Sequence, residues 1–357
     1  MNHKNSTLVA VFSLLFLLAG RYTPAETPEW SKKTSAAMEA NQRGEYALAQ
    51  KLYKEAIEIE QKTLGADNPE VAISLNNLAV FYQDRSMYPQ AEQSYQQAIA
   101  ILEKDPRQKA SAGYALNNLA ALYHDEGMDA KAEPLYRQGL GILEKLGKKQ
   151  NANEAIAGTA LADIYRSWNQ DTSAEPLYLR ALQIWNEQGI SESTEAADAL
   201  FQLGEIYHAR SKNAGAAPMY AHALKIWEST SQFESPAAIT AQSTLGEIYR
   251  AEGKYEQAEP LLQRALQATE KKLGQDHLEV AASLNNLALL YYCESKYDAA
   301  EPLYRKALEI REKNLGPDDP AVAQTMQIYA ALLRQEGRKT EARSLEVHAA
   351  AVGIAHM

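Results

Sequence analysis

Three Asn-Asn pairs, Asn76-Asn77, Asn117-Asn118 and Asn285-Asn286, are the residues of this chain best suited to hold another molecule. A carboxamide offers N–H donors and a carbonyl acceptor from one side chain. That combination suits the backbone of an extended polypeptide; it equally suits polar filler on a solvated helix face. A second group is charged and spaced i, i+3: Asp163/Arg166, Glu205/His208 and Glu247/Arg250. Such pairs stabilise a helix by about 0.2–0.5 kcal/mol each. If the strip binds instead, Arg166, Arg250 and Arg334 would take carboxylates of an acidic segment, because the guanidinium fork matches them. Bond-making chemistry has no comparable signature. The chain lacks a GxxxxGK[ST] phosphate loop, HExxH, GxSxG, CxxC and an EF-hand loop, and its seven histidines are scattered. The single cysteine, Cys293, has no activating His or Lys beside it in sequence and cannot form an intrachain disulfide. The expectation is binding without catalysis, with no cofactor and no metal.

The elements that must position these residues are helices. Leu284, Leu287, Ala288 and Tyr291 fall at offsets of 0, 3, 4 and 7 and share one helical face. A turn at Ser295-Lys296-Tyr297 follows, then a second apolar face carrying Ala300, Tyr304 and Ala307. The tyrosine recurs at 82, 123, 165, 207, 249 and 291, one step of 41 and then steps of 42 residues. A small residue keeps the same beat at Ala49, Ala91, Ala132, Ala174, Ala216, Ala258, Ala300 and Ala342. One helix pair cannot bury its own apolar face, so the copies must stack. The fold class is all-α, with eight helix pairs starting near 30, 72, 113, 155, 197, 239, 281 and 323, and a tail over 348–357. The linkers Leu64–Pro69 and Leu315–Pro320 read as a glycine stop, an Asn or Asp cap and a first-turn proline. Asp298 and Glu301 have capping-box spacing. Pro134, Pro176, Pro218, Pro260 and Pro302 share one slot, read as setting where each second helix begins. The altered linker between Gly147 and Glu154 reads as drift inside one array.

Acidic residues outnumber basic ones, 46 to 36, for a net charge of −10, which argues against nucleic acid or an anionic membrane surface as the main partner. Lys4 followed by the 14-residue apolar run Thr7–Gly20 reads as a signal peptide over 1–25, with cleavage near Gly20–Ala25. The run is short for a membrane span, which needs about 20 residues. The expected location is exported, periplasmic or secreted, without stable membrane insertion; an uncleaved signal anchor tethering the chain is the alternative.

The pattern Leu284-x2-Leu287-Ala288-x2-Tyr291, then Ala300-x3-Tyr304-x2-Ala307, resembles the tetratricopeptide (TPR) signature, with Leu where the family often has Trp. The usual repeat is about 34 residues. The 42-residue period, the LNNLA phrase and the Leu-Gly…Asp-Pro linkers are similar to the kinesin-light-chain type, although the heptad coiled coil of those proteins is missing. The resemblance implies a right-handed α-solenoid over 26–347 whose first helices line a concave groove. It assigns Asn76, Asn77, Asn117, Asn118, His124, Arg166, Arg250, Asn285, Asn286, Tyr292 and Arg334 to that groove, with Asn77, Asn118 and Asn286 in the place of a peptide-holding asparagine. Asp84, Asp125 and Asp163 fall at groove positions too. The function it implies is a non-catalytic scaffold holding a peptide or protein segment. The alternative is a structural or oligomerising subunit of an envelope-associated complex.

Overall fold

The computed structural model describes residues 27–146 and 152–355. The stretch read as an export signal lies outside them, as do residues 147–151 of the altered linker. The described residues form sixteen α-helices and one short 3-10 turn, with no strand. None of these helices is long and apolar enough to cross a membrane.

The helices fall into two compact units that divide between Ser191 and Glu192. The first holds four antiparallel pairs: α1 (Glu29–Gln42) with α2 (Tyr46–Leu64), α3 (Pro69–Gln83) with α4 (Tyr88–Leu102), α5 (Lys109–Asp125) with α6 (Asp129–Lys145), and α7 (Ala152–Ser167) with α8 (Asp171–Glu187). The second repeats the plan with α9 (Thr194–Ala209) and α10 (Asn213–Ser229), α11 (Pro236–Ala251) and α12 (Tyr255–Leu273), α13 (Leu278–Cys293) and α14 (Tyr297–Leu315), and α15 (Pro320–Gln335) and α16 (Lys339–Ala355). Inside each unit every helix packs on the next in sequence.

The periodic residues explain the pairing. All eight marker alanines are 0% exposed, so a methyl group is all that fits where first and second helices meet. The first-helix tyrosines do more than pack. Tyr123 Oη donates to Glu92 at 2.6 Å, Tyr165 to Glu133 at 2.7 Å and Tyr291 to Glu259 at 2.8 Å. Each bond ties a first helix to the second helix of the preceding repeat. The carbonyl of the same tyrosine ends its helix. It accepts the N–H five residues on, as in Met128 to Tyr123 at 2.7 Å and Lys296 to Tyr291 at 2.8 Å. This closing bond requires a left-handed residue between, supplied by glycine at 127 and 253 and by serine at 86, 211 and 295.

Most linker signals act as expected. Asn68 caps Glu70 N–H at 2.9 Å and Asp319 caps Ala321 N–H at 2.8 Å, each ahead of a first-turn proline. Two do not. Helix α14 begins at Tyr297 behind Lys296, which makes no side-chain cap, so Asp298 and Glu301 form no capping box. Instead, Glu301 accepts from Tyr329 Oη at 2.8 Å. The recurrent prolines sit at the sixth residue of their helices, well inside rather than at the start. The helix is already established there, and each proline leaves the carbonyl four residues earlier without its usual amide.

Candidate functional site

The first helices of the N-terminal unit frame a cleft of about 200 Å³ between α1 and α3. Met38, Tyr53 and Phe81 make its apolar floor; Asn41, Asn77 and Asp84 bring polar groups to it. Asn77 is only 5% exposed, yet its Nδ2 has no hydrogen-bond partner. A buried donor left unmade costs about 1–3 kcal/mol. A carbonyl in the cleft would recover that cost once the Asn77 side chain turned its sealed Nδ2 toward it.

The cation beside the cleft is already committed. Arg85 lies over the rings of Tyr46 and Phe81, 4.1 Å from each centroid. It donates to the Phe81 carbonyl at 2.9 Å and to Asn41 Oδ1. Asp84 next to it keeps an exposed carboxylate with neither a hydrogen bond nor an ion pair. The surrounding walls raise its pKa by desolvation, and Arg85 opposes that shift.

Two further carboxylates continue along the first helices. Asp125 on α5 accepts from Gln83 Nε2 at 2.7 Å, and Gln83 Oε1 accepts from Tyr95 Oη at 2.9 Å. Asp163 on α7 accepts from Tyr178 Oη. Both keep accessible surface, both have pKa values raised chiefly by desolvation, and neither is in a salt bridge. A carboxylate that is accessible to water yet enclosed by protein lies on a concave wall.

The other expected groove residues are placed unevenly. Asn76 and Asn117 are fully buried and offer no surface to a ligand. Asn76 Oδ1 accepts from Asn118 Nδ2 at 2.8 Å, joining α3 to α5. Asn117 wedges between α5 and α6 where Gly113 and Gly139 bring the two backbones together; a Cβ at Gly139 would lie 2.3 Å from Asn117 Oδ1. His124 Nδ1 meets Asp129 at 2.6 Å and Arg166 Nε meets Asp171 at 3.7 Å, each reaching the first residue of its own second helix.

In the second unit, Tyr292 packs on Tyr297, the equivalent pair, at 5.7 Å. Arg250 Nη1 points at Cys293 Sγ, 3.8 Å away. Asn286 Nδ2 donates to Glu247 at 2.5 Å, while Asn285 is half-buried with an unpartnered Oδ1. Arg334 is held by both oxygens of Glu346 at 2.5 Å. Of the expected groove residues that the structure describes, Asn77 is the one whose unpartnered amide nitrogen borders a cleft; outside that set, Gln242 on α11, with an unpartnered Oε1, borders another. What sequence reading missed is the glutamate one residue after the marker alanine, at 92, 133, 175, 259 and 301, whose periodicity was there to find.

A family model described as tetratricopeptide repeat matches residues 34–104, 111–187, 237–313 and 293–352. Among solved structures, BtubC (BKLC) from P. vanneervenii is similar at 25% identity and a TM-score of 0.46, over 64% of this chain and 91% of that one. A putative kinesin light chain of nearly identical TPR-like repeats from Podospora anserina is similar at 22% identity and a TM-score of 0.48, over 58% and 99%. The apo form of RapI is similar at 15% identity and a TM-score of 0.53, over 80% and 98%. No curated protein sequence matches the chain.

Proposed function

Because the chain belongs to the tetratricopeptide repeat family, matched along well over half its length, we propose that it is a non-catalytic adaptor. It holds an extended segment of a partner protein against its first helices. Protein-interaction scaffolding is the general role of the family; the groove as the place of contact is our reading. One observation carries it: the unpartnered, nearly buried amide of Asn77 in the lining of an open cleft with an apolar floor. A peptide carbonyl is the group that such an amide lacks.

The test is affinity capture from the native compartment with the full chain and with Asn77→Ala. Partners should be lost from the variant while its far-UV circular dichroism stays unchanged. An identical set of captured partners would reject the groove. We also propose that the chain is exported, on the strength of Lys4 and the apolar run Thr7–Gly20. N-terminal sequencing of the mature protein, with a start near residue 26, would support that; an intact Met1 in a soluble cytosolic fraction would reject it.

A further inference from the structure

We infer that the first-helix groove of the N-terminal unit selects a cationic segment, whose lysine or arginine side chains are received by Asp84, Asp125 and Asp163. This deepens the groove reading above and rests on it. Three accessible carboxylates stand outside any ion pair. Asp84, Asp125 and Asp163 line successive first helices α3, α5 and α7, all accessible, and none is in a salt bridge. Arg85, His124 and Arg166 lie near enough to favour the ionised carboxylates, but their direct contacts are elsewhere. Arg85 is spent on Asn41, a backbone carbonyl and two aromatic rings. His124 and Arg166 turn to Asp129 and Asp171 at the heads of the second helices. An acidic guest would meet three carboxylates and no available guanidinium.

Acidity alone does not make a site. The Asn77 amide, 5% exposed and unpartnered, lies in the same cleft as Asp84 and supplies the backbone contact. Asp84 and Asp125 hold the same place in their repeats, two residues after Tyr82 and Tyr123, and Asp163 lies about one turn earlier, two residues before Tyr165. An extended chain advances about 3.3 Å per residue, so a segment with several cations along it is needed to reach all three.

The experiment uses the full chain and three fluorescent dodecapeptides that share a Ser-Ala frame and carry Lys, Gln or Glu at every third residue. The lysine peptide should bind about tenfold more tightly than the glutamine peptide, and the glutamate peptide more weakly than either. Asp84→Asn with Asp125→Asn should cancel that preference. Asp84→Asn alone should reduce it, and that substitution breaks no intramolecular hydrogen bond or ion pair. Glu58→Gln with Glu103→Gln removes the same charge from exposed second-helix sites and should leave the preference intact. Equal loss in this control pair would reduce the effect to net charge and overturn the inference. If the glutamine or glutamate peptide binds best and Asn77→Ala weakens it, cationic selectivity fails while the groove stands. If no peptide binds, or none responds to Asn77→Ala, both fail together.

Discussion

Glu60 is fully buried on α2, and neither carboxylate oxygen has a partner. Burial raises its pKa from 4.5 to about 7; the nearby Ser74 hydroxyl opposes this, and the Glu70 carboxylate adds to it. The folded state therefore holds this proton more tightly than the unfolded chain. The resulting stability is complete below pH 4.5 and is lost as pH rises through 7. Glu60→Gln should gain on the order of 3 kcal/mol at pH 8 and almost nothing at pH 4. Urea titrations at the two pH values check this, and equal effects at both would contradict it. At Tyr123 the relevant group is the phenol. Its bond to Glu92 is charge-assisted but half-exposed, so Tyr123→Phe should cost about 1 kcal/mol in the same assay. No loss would mean that the ring, and not its hydroxyl, holds the seam.

At the scale of elements, the sequence and the structure agree where a residue type has one physical use. Alanine at a helix crossing, Asn-Pro at a helix start and a 42-residue tyrosine beat each admit one reading, so the helix pairs were legible. Asparagine does not. Asn77 and Asn117 carry the same side chain and come from the same Asn-Asn phrase, yet one lines a cleft and the other is sealed between α5 and α6. What separates them is one step along the helix: Asn117 lies six residues before Tyr123, as Asn76 does before Tyr82, and both are fully buried, whereas Asn77 lies five before Tyr82; at Asn117 the close approach of Gly113 and Gly139 adds to the enclosure. The cations His124 and Arg166 escaped because their partners are created by the turn that follows them. Gly139→Ala tests the crossing directly. Its Cβ would meet the Gly113 carbonyl at 2.7 Å as well as Asn117, and the helices must part. We expect a loss of about 1–3 kcal/mol, as for overpacking. Ser295, at φ 61°, is the opposite case. Ser295→Gly should relieve left-handed strain of about 1–2 kcal/mol, partly offset by about 0.5–1 kcal/mol of added unfolded-state freedom. A net gain in melting temperature is expected; a decrease would show that the serine side chain contributes something the backbone argument omits.

For the molecule as a whole, a repeat with a neighbour on one side only is less secure than one packed on both. Helix α16 packs through Ala342, Ala349 and Val352 and leaves Val347 63% exposed. Helices α3 to α6 sit in a continuous core reaching from Ala37 to Ile164. Amide hydrogen exchange should therefore be fastest at α1 and α16 and slowest in α3 to α6. Uniform protection along the chain would mean a single cooperative block instead. The phenol–carboxylate rungs have a bearing on descent as well. Tyr165 and Glu133 lie in the same 42-residue stretch between Tyr123 and Arg166, so excising residues 124–165 removes both halves of one rung and leaves Glu92 still facing Tyr123. Copies could thus be gained or shed over generations without stranding a partner, and the number of helix pairs would be free to drift while each junction stayed chemically whole.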